Sequence, residues 1–165
     1  MAQAIEIRPY TEADVAALAE VFAAAVHGST AAHYDAAQRE AWAPCPPDLQ
    51  HWQQRLTQPE LRTFVAIRDS GPAGFISYEP NGHIEYLYTA PNSQRYGIAT
   101  ALYLAAEREL SDMGVKELFT EASLVAYPFF LKQGFHSVEE QLVDVRGVQF
   151  RRHAMRKVLA NHPER

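Results

Sequence analysis

Ile5 and Ile7 alternate with Glu6 and Arg8, which predicts a short strand at the start of the chain. Thr11 stands three residues before Asp14, the spacing of a capping box. Val15, Leu18, Phe22 and Val26 then recur at helical intervals, so one apolar stripe faces a core, and Gly28 is placed to end the helix. A second helix is expected over residues 35–42, stopping near Pro44. Asp48 can cap a third, on which Leu49, Trp52 and Leu56 share a face. From Thr63 the period shortens. Residues 64–67 and 73–79 read as strands around a Gly71-Pro72 turn, and Asn81-Gly82 signals a hairpin into a strand over residues 83–89. A loop over residues 90–96 leads into a long helix, 97–113, closed by Gly114. A strand over 115–120, a short helix over 124–133 stopped by Gly134, and a hairpin of 136–145 with 148–157 around Arg146-Gly147 complete the chain.

The order β, helices, βββ, α, β, α, ββ predicts an α+β (mixed α/β) fold in one domain spanning residues 1–165. The strand–helix–strand unit over residues 83–120 requires its two strands to be parallel, in a sheet otherwise made of hairpins. A net charge of -5 argues against sequence-blind binding of nucleic acid, which needs a basic surface. Arg146, Arg151, Arg152, Arg156 and Lys157 cluster late in the chain and read as a solvated strand face. The single cysteine, Cys45, excludes an internal disulfide, and with Pro46 and Pro47 after it no activating partner is apparent. No apolar run reaches the length of a membrane span and residues 1–10 are no signal peptide, so a cytoplasmic protein is the expectation. His27, His33, His51, His136, His153 and His162 lack ligand spacing with acidic or sulfur partners, and no metal is expected.

The stretch with chemical content is Leu87 to Thr100. A strand ends, a loop follows, and a helix opens on Gly97 and Ala99, small residues that let an anion approach its first turn. The unpaired N–H groups and positive dipole end of that turn can cradle a diphosphate, with Thr100 adding a hydroxyl. A plain strand-to-helix connection would read the same way. Walker and dinucleotide patterns fit worse, since Ile98 follows Gly97 and no second glycine is spaced from it. Gln94-Arg95-Tyr96-Gly97-Ile98-Ala99 resembles the Q/R-x-x-G-x-G/A signature of the GNAT N-acetyltransferase superfamily, and Ala126 to Gly134-Phe135 resembles that family's A-x-x-x-Y-x-x-x-G-F helix end.

The resemblance implies a mostly antiparallel mixed sheet of six to seven strands flanked by helices, with a splayed parallel pair. It implies acetyl-CoA as cosubstrate. The pantetheine arm would pair with Leu87, Tyr88 and Thr89, and the pyrophosphate would sit on the N–H groups of Gln94, Arg95, Tyr96, Gly97, Ile98, Ala99 and Thr100. Ser123 stands where many members have a cofactor-contacting asparagine. Phe130 stands where they commonly have a tyrosine that protonates the leaving thiolate; it is expected to pack on the cofactor arm or in the core.

Strict alternation along residues 83–89 would put His83, Glu85, Leu87 and Thr89 on one face. Glu85 is the first choice of general base, directly or through water, and His83 the second; Tyr127 is the substitute acid. Glu121 either orients a cationic acceptor or caps the next helix, and Trp42 and Trp52 read as core aromatics. The expected acceptor is a primary amine of a small molecule, attacking in a ternary complex. A lysine or N-terminal amine of a protein, a non-catalytic acyl-CoA-binding module and a mononucleotide-binding domain stay open as alternatives. No nucleic-acid or membrane partner is expected. Dimers are common in the family, and the last hairpin is the place where a homodimer would form.

Overall fold

The computed structural model describes residues 4–159. Seven strands form one sheet in the order β1-β2-β3-β4-β5-β7-β6. They are β1 (Glu6–Pro9), β2 (Arg62–Arg68), β3 (Gly71–Tyr78), β4 (His83–Thr89), β5 (Glu117–Ser123), β6 (His136–Val145) and β7 (Val148–Val158). Every pairing is antiparallel except β4 with β5. Helices α1 (Val15–Ser29), α2 (Ala36–Trp42) and α3 (Leu49–Leu56) precede β2; α4 (Ile98–Asp112) joins β4 to β5, and α5 (Tyr127–Lys132) follows β5.

Each face of the sheet has its own core. On one, Leu18, Phe22 and Val26 of α1 and Trp52 and Leu56 of α3 meet Val65 and Phe75. On the other, Ile98, Leu102, Tyr103, Ala106 and Leu110 of α4, with Phe130 of α5, meet Ile76, Ile84, Leu118 and Met155. The α4 stripe follows the helical period, so its burial is the direct expression of the sequence pattern. Among the described residues no helix is long and apolar enough to cross a membrane.

Several expected boundaries move. Gly28 lies inside α1, which continues to Ser29; a Cβ at Gly28 would sit 3.0 Å from Pro91 Cγ, so its smallness serves the approach of the 90–96 loop instead of ending the helix. Gly71 and Pro72 begin β3, and the turn falls on Asp69 and Ser70, both at positive φ. The strand expected over residues 115–120 runs from 117 to 123, and the helix expected over 124–133 is confined to 127–132. Leu49 is exposed, leaving Trp52 and Leu56 as the buried face of α3. The basic residues of the last hairpin are individually paired: Arg151 with Glu140, Arg152 with Gln141, Arg156 with Glu117, and Lys157 with Glu107.

Candidate active site

Two features part the sheet between β4 and β5. The parallel ladder holds only His83 opposite Phe119 and Ile84 opposite Thr120, and the Thr120 hydroxyl donates to the Ile84 carbonyl at 2.9 Å as the last rung. Gly82 starts this seam with φ 99, and a Cβ there would run into the Glu117 carbonyl. On the other edge of β4 the register steps from Ser77–Tyr86 to Tyr78–Ile84, so Glu85 is the extra residue of a β-bulge. The bulge breaks the expected alternation. Ile84 and Leu87 pack toward the α4 core, while Tyr86 and Tyr88 pack toward α1 and α3. Glu85 still comes near His83, at 3.7 Å, but Leu87 does not share their face.

Beyond the seam lie two cavities. The first, about 480 Å³, is lined by Leu87, Tyr88, Thr89, Gln94, Arg95, Gly97, Ile98, Ala99, Thr100 and Ser123, together with Ser29, Phe129 and Lys132. Gly97 caps α4 in the left-handed region, φ 76, so a side chain there is strained even though the space beside it is open. The first helical bond of this turn runs from Ala101 N–H to Gly97 C=O, which leaves the N–H groups of Ile98, Ala99 and Thr100 without partners in the helix. Arg68 of β2 fixes the loop from outside, donating to Ser93 Oγ at 3.0 Å and lying 3.7 Å above the Tyr96 ring. Gln94 Nε2 donates to Ser29 Oγ at 2.9 Å, tying the loop to the end of α1. Tyr96 is the one residue of 94–100 outside the cavity lining, because its ring turns onto Arg68.

The second cavity, about 250 Å³, is walled by the rings of Tyr34, Trp42, Tyr86, Tyr88, Phe130 and Phe150, with Glu85, Glu121 and Arg152 as charged groups. Tyr34 is held by both ends of its hydroxyl, which donates to Arg151 C=O and accepts from Leu124 N–H, each at 3.0 Å. Its ring meets Trp42 and Phe150. Trp42 is therefore part of a cavity wall, where the sequence reading had it as core packing; Trp52 is core. Phe130 lines this cavity and not the first, with Tyr103 and Phe135 behind it. Five residues line both cavities: Trp42, Leu87, Tyr88, Ser123 and Ala126.

His83 anchors the charged end. Its Nδ1 lies 2.7 Å from Glu79 and its Nε2 2.8 Å from Glu121, and its ring stacks on Phe119. Burial opposes the charged imidazole, but the hydrogen bonds to Glu121 and Glu79 and the charges of Glu121 and Glu85 outweigh it, raising the pKa to about 9. Both ring nitrogens of His83 are thus engaged by carboxylates that favour its charged form, which leaves neither nitrogen open toward the cavity. Glu121 is held below the usual carboxylate range, chiefly by the hydrogen bond from His83 against the opposing effect of burial. It does not cap the next helix; Ser123 Oγ does that work, accepting from Ala126 N–H at 3.1 Å. Glu85 also lines the cavity, with Arg55 of α3 at 3.5 Å.

Tyr127 does not reach either lining. Its ring lies against His153 of β7 at 4.2 Å between centroids and packs at the edge of the α4 core. The substitute-acid role therefore finds no support in its position. Glu79, His83 and Glu85 are the only described group whose ligand atoms lie close enough together to hold a metal ion, within 4.8 Å, but His83 already spends both nitrogens on carboxylates.

Comparison with known proteins agrees with this geometry. The sequence pattern of the Acetyltransferase (GNAT) domain matches residues 30–159. The uncharacterized N-acetyltransferase YafP of Escherichia coli (strain K12) is 35% identical over 152 residues, covering 92% of this chain and 95% of its own. A GCN5-related N-acetyltransferase from Rhodopseudomonas palustris superposes with a TM-score of 0.89 at 31% identity, over 96% of this chain and 99% of that one. The PaiA N-acetyltransferase from Thermoplasma acidophilum, solved with coenzyme A, shares the fold with a TM-score of 0.76 at 22% identity, over 94% and 99%. With a parted parallel strand pair, an open helix start beside it and a family match across most of its length, the chain belongs to the GNAT acetyltransferase family.

Proposed function

We propose that the protein transfers the acetyl group of acetyl-CoA to the primary amine of a small molecule, by direct attack while both are bound. The observation that carries this reading is the common wall of the two cavities, which lets a donor held in one meet an acceptor held in the other. In the larger cavity the diphosphate would lie on the N–H groups opening α4, with Arg95 and Lys132 as cations. The arm would follow the open edge of β4 from Thr89 to Leu87, where the sheet has no further rung to β5.

In the smaller cavity the amine would face Glu85. Acyl transfer needs the amine unprotonated, and a carboxylate at the mouth can take its proton directly or through one water. Arg55 and His83 lie 3.5 and 3.7 Å from that carboxylate and hold it in place, with Arg55 also donating to the Tyr86 hydroxyl. As the nitrogen closes on the carbonyl carbon, a backbone N–H on the open edge of β4 would meet the charge that develops on oxygen. A volume near 250 Å³ walled by six rings suits a small acceptor.

Thermal unfolding with acetyl-CoA, CoA, ATP and NADH in parallel tests the donor. At a hundredfold excess over Kd a ligand adds about 2.7 kcal/mol, a rise in Tm of roughly 5–10 °C for a chain of this size. The rise is expected with the two CoA species alone, and equal rises with ATP or NADH would overturn the cradle. Free-thiol release with small primary amines is the expected second result. Release confined to peptides would move the acceptor to proteins, and tight binding without release would leave an acyl-CoA-binding module.

A further inference from the structure

With Phe130 bearing no hydroxyl and Tyr127 outside both linings, the departing sulfur needs another proton donor. The reacting carbonyl must be reachable from both cavities, so its neighbours are the residues of the shared wall. Leu87 and Ala126 have no polar side-chain atom. Ser123 Oγ accepts from Ala126 N–H at 3.1 Å at the start of α5, and its aliphatic hydroxyl is a far weaker acid than a phenol. The Trp42 indole N–H points at the Tyr88 oxygen, 3.3 Å away. Tyr88 starts on β4 and Trp42 on α2, so this contact fixes the phenol oxygen where the two cavities meet. Among the described residues, no protein group accepts the Tyr88 proton. Its ring is gripped by Phe22 and Phe75 from the α1 side.

We propose that Tyr88 is the hydrogen-bond and proton donor to the leaving sulfur, and that Trp42 is its positioning residue; this rests on the acetyl-transfer reading above. As the amine nitrogen bonds to the acetyl carbon, the C–S bond breaks and its electron pair goes to sulfur. The Tyr88 proton passes to that sulfur while the amine's proton goes to Glu85. The phenolate oxygen is held by the Trp42 N–H until it regains a proton from water, and Glu85 gives its proton up to solvent. The net change is one N–H replaced by one S–H. Burial raises the Tyr88 pKa, so the phenol enters the step protonated.

Two measurements on Tyr88→Phe test this. In steady-state acetyl transfer, kcat should fall by about ten- to a hundredfold, with the Tm rise given by acetyl-CoA unchanged. Trp42→Phe should lower kcat less, by about three- to tenfold, since it leaves the donor and removes only its support. The second measurement needs no turnover. The thiol of CoA bound to the protein is titrated by thiolate absorbance, liganded minus free protein. A phenol donating to the thiolate lowers that thiol's pKa relative to free CoA, and Tyr88→Phe should return it toward the free value. A thiol pKa unaffected by Tyr88→Phe overturns the proposal even if kcat falls, because the effect is then not at sulfur. A thiol pKa that shifts in a protein releasing thiol with no amine keeps the Tyr88 contact and overturns the transfer reading instead.

Discussion

The two cavities, proposed here for donor and acceptor, share a wall, yet they are built by opposite means. The larger is centred on one continuous stretch, the end of β4, the loop and the first turn of α4 with Gly97 at φ 76, and is closed by residues of α1 and α5. The acceptor side is made of side chains from distant places, with Tyr34 and Trp42 from one end of the chain and Phe150 and Arg152 from the other. Backbone N–H groups bind any diphosphate of the right shape, whatever residues surround them. A ring-lined box selects by the particular rings. The difference implies that substitutions on the donor side act through backbone conformation and on binding, and those on the acceptor side through side-chain chemistry and on rate or acceptor choice.

The sharpest way to break this contrast is Gly97→Glu. A side chain in the left-handed region is strained by about 1–2 kcal/mol, and its charge opposes a diphosphate. Acetyl-CoA affinity should fall by more than about a hundredfold, read as loss of the ligand-induced Tm rise in a variant that still unfolds cooperatively. Retained binding would show that the cradle lies elsewhere. Next comes Glu85→Gln on the acceptor side. Removing the base should lower kcat/KM by about a hundredfold with the acetyl-CoA Tm rise intact, and a variant equal to wild type would take the base role from Glu85.

A smaller effect is expected from pH. The His83 pKa rises from 6.5 to about 9 on folding, so the folded state binds the proton more tightly. The stabilisation is full below pH 6.5 and is lost as pH rises through 9. With partner carboxylates about a third exposed, it amounts to roughly 1–3 kcal/mol. Tm without ligand should therefore drop by several degrees between those limits, and Glu121→Gln should flatten the slope. The smallest effect belongs to Tyr127→Phe, which should stay within about twofold of wild type in kcat, because the ring packs on His153 outside both cavities. A large loss there would return the acid role to α5.

The same contrast explains what the sequence made legible. The loop into α4 was readable because its parts are adjacent in the chain and Gln94 to Ala99 carry a family signature; its glycine alone would also suit a plain strand-to-helix connection. The last hairpin was readable for the same reason, with Arg146 and Gly147 at positive φ between two alternating runs. The acceptor wall was not. Tyr34, Tyr86 and Phe150 carry no local mark that sets them apart from core aromatics, and Trp42 was read as one. Counting by twos along β4 failed at Glu85, since a bulge arises from how β3 and β4 register and leaves no residue-level cue. Glu121 was visible as a polar residue at a strand end, but its bond to His83 depends on the parallel pairing that brings β5 beside β4.

The shortness of the β4–β5 seam has a mechanical consequence. Strands β1 to β4 form one leaf and β5, β7 and β6 another, hinged at two residue pairs and bridged behind by the α4 core. Past the hinge, β4 continues for residues 85–89, a lever of about 17 Å. One degree of lean between the leaves moves its far end by roughly 0.3 Å at that length. A small change in the angle between the leaves therefore widens or narrows the slot along its whole length.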